Sequence, residues 1–200
     1  MSNSKIKAKY LSLSEEENAL DYLEQAYNFI KQTENDNFSW KWVIIALHGA
    51  LYGFAICALK GTNPDRVTYT TKSGKKLISF NEALKRCQKP KYMNMLVTSK
   101  CLQLTDAQKE SIHYLKDTFR NNFEHFVPKS WYIELHGMPK IVIDVLDVIR
   151  FIALDTGNYI DLTEKQRKRV ESIVFQSKEI LKMSTLYKES ELSRKKSSIK

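Results

Sequence analysis

Apolar residues recur at helical spacing through most of the 200-residue chain, and this pattern predicts a mostly helical protein. Between residues 14 and 31 they fall at i, i+3, i+4 and i+7, the spacing of a helix with one buried face. Residues 43–59 carry no charge, so they predict a central buried helix that ends near Gly61. Residues 139–155 are apolar nearly all round and predict a second central helix with Pro139 in its first turn.

Several helix starts are marked by a Ser or Thr followed three residues later by Glu or Gln. These two side chains can satisfy each other's free backbone N–H groups, so the pattern predicts a capped N-terminus. The helices that follow are expected to end near Lys31, Gln88, Phe126 and Lys182. The four pairs are Ser14 with Glu17, Ser79 with Glu82, Thr105 with Gln108, and Thr163 with Gln166.

The segments between these helices carry weaker patterns. Residues 62–79 place β-branched and polar residues on both sides of Ser73 and Gly74, which predicts a small hairpin. A further helical stretch is expected at residues 92–102, and extended backbone at residues 131–135.

Together these elements predict an all-α fold, an antiparallel helical bundle of four to five long helices with a small β-hairpin-like insertion. No Pro-, Gly- or Ser-rich linker divides the chain, so residues 1–183 are expected to form one domain around one core. Residues 184–200 are expected to be a basic, disordered tail.

Charge leaves two interpretations open. The chain has 32 Lys and Arg against 23 Asp and Glu, a formal net charge of +9. Such an excess attracts polyanions such as RNA, but it also suits an ordinary soluble basic protein. Part of it lies in the C-terminal tail.

Cysteine usage and motifs narrow the chemistry. Cys57, Cys87 and Cys101 are an odd number without CxxC spacing, which argues against a disulfide framework and against a zinc site. No HExxH, GxGxxG, P-loop or GxSxG pattern is present, so no metal or cofactor is expected. The polar, basic N-terminus does not resemble a secretory signal, and a cytoplasmic protein is expected.

The uncharged run also raises a membrane alternative. Residues 43–59 are flanked by Trp and Lys and contain Gly49 and Gly53, a spacing that lets helices approach closely. The run is short for a span and carries His48, which is interpreted as a satisfied buried histidine, so no membrane span is expected.

A candidate catalytic motif lies near the end of the predicted helix 105–126. It is the stretch Arg120-Asn121-Asn122-Phe123-Glu124-His125. Arg120 and His125 lie outside the apolar stripe of that helix, where an arginine can hold a phosphate and a histidine can move a proton. Asn121 and His125 share a face, whereas Arg120 projects roughly 140° from His125. The predicted RNA contacts, a base-stacking aromatic and two cations, are Trp131, Lys129 and Lys116.

An ordinary structural explanation stays open beside this one. Arg120 and Glu124 are i and i+4, the spacing of a surface ion pair on a helix. His113 and Asp117 lie on the same flank, and His136 is a weaker acid–base candidate in a loop. Asp144 and Asp147 are expected to hydrogen-bond across the bundle.

A helical bundle with Arg-Asn-x-x-x-His late in a long helix resembles the HEPN (higher eukaryotes and prokaryotes nucleotide-binding) superfamily, and Arg120, Asn121 and His125 match its motif. The resemblance implies a metal-independent endoribonuclease, often a toxin or defence effector, that acts as a homodimer. In such a dimer Arg120 of one chain and His125 of the other would share a phosphate, and Asn121 would orient the substrate or the imidazole.

The resemblance also bears on partners. It implies RNA as substrate and an antitoxin or sensor as a further partner. Some toxin members carry a Tyr two positions after the His that is a target of inhibitory nucleotidylation, and Val127 stands there in this chain, so that route is not expected. The alternative is a non-catalytic helical module that binds RNA, a nucleotide or a protein.

Overall fold

A computed structural model describes residues 9–125, 128 and 130–197, with side chains up to residue 193. Within those residues the protein is mostly helical and has one two-stranded antiparallel sheet, as the sequence predicts. Its α-helices are α1 (Glu15–Ile30), α2 (Ser39–Lys60), α3 (Phe80–Cys87), α4 (Pro90–Met93), α5 (Asp106–His113), α6 (Asn121–Glu124), α7 (Met138–Arg150), α8 (Glu164–Met183) and α9 (Thr185–Ser197). Two π-helical segments, Tyr114–Arg120 and Phe151–Asp155, continue α5 and α7, and a 3-10 turn spans Pro64–Val67.

The core surrounds α2, whose apolar side chains are buried on nearly every side. This helix is long and apolar enough to cross a membrane, with a mean hydropathy of 2.0, but 67% of that window is buried inside the protein. Burial of this extent is typical of the core helix of a soluble protein, as the sequence predicts.

Helix α1 runs antiparallel to α2 at very close range. A Cβ at Gly53 would lie 2.7 Å from the Cβ of Ala19, and a Cβ at Gly49 would lie 2.7 Å from the ring of Tyr22. The two glycines therefore let the backbones approach where larger residues would separate them. The small-residue spacing has a packing role within the protein.

Helices α7 and α8 pack against each other and are tied by charge. Lys178 of α8 lies 2.5 Å from Asp147 of α7, and Arg150 lies 2.8 Å from Glu171. The hydrogen bonding predicted for Asp147 is thus confirmed, with α8 as its partner. The Thr163 cap at the start of α8 is a complete reciprocal box, and so are the caps at Ser14 and Thr105, whereas Ser79 makes only its own half.

The predicted hairpin is confirmed as strands β1 (Thr68–Thr71) and β2 (Gly74–Leu77), paired antiparallel. Gly74 has a φ of 108°, which a residue with a side chain rarely adopts, so it suits the turn. Tyr52 of α2 donates a hydrogen bond to the carbonyl of Ile78, which fixes the hairpin to the central helix.

The prediction of a helix at residues 92–102 is wrong. Helix α4 ends at Met93, and Leu96 and Val97 are exposed rather than on a buried face. Long-range bonds hold this loop instead, because the N–H of Lys100 donates to the carbonyl of Thr156 at 2.7 Å. Tertiary contacts, which a local sequence pattern does not contain, override the helix propensity of this segment.

Two further expectations need correction. Residues 130–135 are irregular and form no strand, although Ile133 and Leu135 pack against the core. The disordered tail expected at residues 184–200 is helical as far as Ser197, and residues 198–200 lie outside the described residues. Helix α9 forms because Ser184 caps it, accepting from the N–H of Tyr187 at 3.2 Å, and because Leu186 packs on the core.

Candidate active site

The predicted motif helix is continuous in space but not uniform. It begins with the Thr105 cap, follows α5, becomes π-helical over Tyr114–Arg120, and ends in the short α6. In the π-helical segment the N–H of Asn121 donates to the carbonyl of Lys116, five residues earlier. Such segments occur often at functional sites because they re-aim the side chains that follow.

The core face of the motif helix is largely the predicted one. Ile112, Leu115 and Phe119 are buried, and Phe123 is half-buried against the core, while Phe126 lies outside the described residues. The helix ends at His125, whose backbone leaves the helical region with a φ of −116° and a ψ of 56°. The motif therefore sits at a helix terminus, as the sequence predicts.

The guanidinium of Arg120 is already paired. Its Nη2 lies 2.5 Å from the Oε2 of Glu124, and its Nη1 donates to the Oδ1 of Asn121 at 3.2 Å. Its Nε is buried and has no hydrogen-bond partner among the described residues. The i, i+4 ion pair left open from sequence is thus present, and Arg120 and Asn121 are brought together.

His125 stands apart from that pair. Its imidazole is exposed and makes no hydrogen bond or ion pair within the described part of the chain. The contact it makes with the motif is through the backbone, where its N–H donates to the carbonyl of Asn121 at 2.9 Å. Among the described residues of one chain, no contact joins the His125 imidazole to Arg120.

The predicted RNA contacts differ in their surroundings. Lys116 forms an ion pair with Asp117 and is mostly buried. The Trp131 ring packs 5.3 Å from that of Phe123 and 6.4 Å from that of Phe119, so one side of it is used in the fold. Lys129 lies outside the described residues.

Arg120 also lines a cleft that the sequence does not reveal. It encloses about 320 Å³ between α1, α2 and the motif helix. Its lining includes Arg120 and Glu124 from the motif helix, His48 and Tyr52 from α2, and Tyr22 from α1. With Glu15 of α1, the cleft combines a cation, two carboxylates, an imidazole and two phenols.

His48 is not the satisfied buried histidine expected from sequence. Its ring stacks on Phe80 with centroids 4.4 Å apart, but neither nitrogen has a hydrogen-bond partner within the described residues. Burial, and then the positive charges of Arg120 and Lys116, lower its pKa from 6.5 to about 4, against a smaller opposing effect of Asp117. His48 is consequently neutral at physiological pH.

One sequence signal for this cleft exists in hindsight. His48 and Tyr52 are i and i+4, so they share a face of α2, and Gly49 and Gly53 leave the surface beside them without side chains. The sequence does not show that Arg120 comes from a distant helix to face them.

The other polar candidates have structural partners. Asp144 accepts from the hydroxyl of Ser111 at 2.7 Å, which ties α7 to the motif helix as predicted. His113 pairs with Asp117 at 3.1 Å. His136 lies between Glu134 and Glu189 of α9. Among the described residues, no group of three or more His, Cys, Asp and Glu side chains is arranged to hold a metal ion.

In comparisons with known proteins, no family model, no curated protein and no solved structure matches the chain significantly.

Proposed function

We propose that the protein is a metal-independent endoribonuclease of the HEPN type, in which Arg120 of one chain and His125 of a second copy act on one RNA phosphate. The observation that carries the proposal is the placement of Arg120 in an open cleft while the His125 imidazole stands exposed and unpartnered within the described residues. The net charge of +9 supports attraction of RNA.

In the proposed reaction the 2′-oxygen of a ribose attacks the neighbouring phosphorus, and the bond from phosphorus to the 5′-oxygen breaks. The products carry a 2′,3′-cyclic phosphate and a 5′-hydroxyl. Arg120 stabilises the charge that builds on the phosphoryl oxygens, because a guanidinium offers two parallel N–H donors to them. His125 gives a proton to the leaving 5′-oxygen.

Asn121 has a positioning role in this scheme. Its Oδ1 accepts from the Nη1 of Arg120 at 3.2 Å, and its carbonyl accepts from the N–H of His125. It thereby fixes the guanidinium and the end of the helix relative to each other. Lys116, Lys129 and Trp131 are the proposed contacts to the rest of the RNA.

We also propose an antiparallel bundle as the architecture and the cytoplasm as the location. The long helices α1, α2, α7 and α8, with the motif helix, form an antiparallel bundle, which is supported by the contacts of α2 with α1 and α7 and of α8 with both α1 and α7. The protein is cytoplasmic, and a toxin or defence role with an antitoxin or sensor partner is what the HEPN resemblance would imply.

Cleavage of single-stranded RNA by the pure protein in EDTA tests the activity. We expect His125→Ala and Arg120→Ala to abolish cutting while the protein stays folded and dimeric, and His113→Ala, which changes an exposed histidine of the same helix, to keep it. Full activity in either motif variant would contradict the proposal.

Mixing the two inactive variants tests the composite site. In a heterodimer of Arg120→Ala with His125→Ala, one of the two shared sites has both wild-type residues, so random exchange should restore about a quarter of wild-type activity. If Arg120 and His125 of the same chain act together, mixing restores nothing.

One observation favours a second candidate, a non-catalytic module that binds RNA. The guanidinium of Arg120 is already compensated by Glu124 at 2.5 Å, which is what a structural ion pair requires. Its signature would be salt-dependent RNA binding without turnover, unchanged in His125→Ala.

A further inference from the structure

The cleft beside Arg120 contains a second imidazole in a position suited to the same chemistry. His48 lines it from α2 and Arg120 from the motif helix, two parts of the chain that lie far apart in sequence, and α1 lines it as well. At about 320 Å³ the cleft is at the small end of the range for ligand pockets, roughly 300–1,000 Å³. A phosphate held by Arg120 would therefore lie in the same small space as His48.

His48 is held in place but chemically unused. Stacking on Phe80, with the ring planes 17° apart, fixes the orientation of the imidazole. No side chain or carbonyl of the described residues bonds to its nitrogens, and neither nitrogen is among the fully buried polar atoms that lack a partner. Half-buried imidazoles usually have a partner in the protein, so an oriented ring with free nitrogens suits a ligand.

We propose that His48 accepts the proton of the attacking 2′-hydroxyl, with Arg120 holding the phosphate in the same cleft. This inference rests on the proposed ribonuclease function and extends it by a further catalytic residue. As the bond between the 2′-oxygen and phosphorus forms, the hydroxyl proton moves to a ring nitrogen of His48. As the bond to the 5′-oxygen breaks, that oxygen takes a proton from His125, so one proton enters the protein and one leaves it.

The charges around the cleft make the pKa of His48 depend on whether substrate is bound. Without RNA, the charge on Arg120 contributes to the low pKa of His48, so the ring is free to accept a proton. A bound phosphodiester adds a negative charge beside the ring and raises the pKa of His48, which makes the ring a stronger base when substrate is present. The charged and titratable groups that face His48 are Lys116, Asp117, Arg120 and Glu124 from the motif helix, Glu15 and Tyr22 from α1, and Tyr52 from α2.

His48→Gln provides the first test, with His113→Gln as the matched control. We expect kcat to fall on the order of 100-fold or more in His48→Gln, with KM changed only a few-fold, and His113→Gln to keep wild-type kinetics. We expect the wild-type kcat to fall in acid as the base becomes protonated in the complex, and we expect this fall to be absent in His48→Gln. A purely structural role for His48 would not move this pH profile.

A second measurement needs no variant. NMR titration of the wild-type His48 resonances, with and without a 2′-deoxy oligonucleotide that cannot be cut, should show the pKa of His48 rising when the ligand binds. A His48 resonance that saturating ligand leaves unmoved overturns the proposal. So does a His48→Gln enzyme that cuts RNA within about three-fold of wild type, which would leave the ribonuclease function intact; a wild-type protein that cuts no RNA overturns both.

Discussion

The carboxylate of Glu124 lies 2.5 Å from the guanidinium of Arg120. The pair is partly shielded, with 28% of the Arg120 side chain exposed. In the proposed enzyme this carboxylate competes with RNA for the same guanidinium. Substrate must displace it before Arg120 can act.

Replacing Glu124 by Gln removes that competition. We expect RNA affinity and kcat/KM to rise several-fold, because Arg120 no longer exchanges one anion for another on binding. The change in stability should be small, on the order of 0.5 kcal/mol, as for other i, i+4 pairs. Cleavage kinetics and thermal melting measure both effects, with Glu110→Gln on α5 as the control. Weaker RNA binding in Glu124→Gln would show that the carboxylate positions Arg120 instead.

Gly53→Ala tests the close approach of α1 and α2. Alanine favours a helix, but its Cβ would lie 2.7 Å from the Cβ of Ala19 and 3.2 Å from its Cα, where the neighbour cannot rotate away. We expect the free energy of unfolding to fall by about 1–2 kcal/mol. Gly137→Ala, which meets nothing within 4 Å, should be neutral in the same denaturation experiment. Equal stability of the two variants would rule out tight packing at Gly53.

His136 makes the attachment of α9 depend on pH. Its Nε2 lies 3.1 Å from Glu189 of α9, and its Nδ1 contacts Glu134. The hydrogen bond with Glu134, and then that with Glu189, raise the pKa of His136 above its usual value. A raised pKa means that the stabilisation is complete below about pH 6.5 and is lost as pH rises through the folded-state value.

We therefore expect wild type to melt at a higher temperature than His136→Gln in mildly acidic solution, and the difference to shrink above neutral pH. Melting curves of both proteins from pH 6 to 9 measure this effect. A difference that grows with pH would have the wrong sign for a His–Glu pair.

Asn158 holds the loop that follows α4. Its Nδ2 donates to the carbonyl of Ala58 at 3.1 Å, and its Oδ1 accepts from the hydroxyl of Ser99 at 2.6 Å. Because the side chain is buried, Asn158→Ala leaves polar partners unsatisfied and should cost about 2 kcal/mol of stability. Asn37→Ala, at an exposed position, is the control in urea denaturation. A loss no larger than that of the control would show that the loop is held by other contacts.

Features encoded by neighbouring residues could be predicted from the sequence. The caps at Ser14, Thr105 and Thr163 depend on a bond between residues three apart, and the Arg120–Glu124 pair depends on residues four apart. Both partners of such a bond lie within one helical turn, so a local pattern contains them.

Features that depend on distant partners could not. The loop after α4 takes its shape from Thr156 and Asn158, which lie some sixty residues later in the chain. The candidate cleft is formed by three helices, so the sequence around His48 does not contain the partners that line the cleft with it. Helix α9 forms where the sequence indicates only a basic tail. It is stabilised by the contacts that its residues Leu186 and Glu189 make with the rest of the protein.

The π-helical segment Tyr114–Arg120 determines the direction in which the later side chains of the motif helix point. Deleting one residue from this segment would convert it to a regular α-helix. The side chains from Asn121 onward would then rotate about the helix axis by roughly 100°. The direction of the His125 imidazole can therefore be changed by removing a single residue between Tyr114 and Phe119, without altering His125 itself.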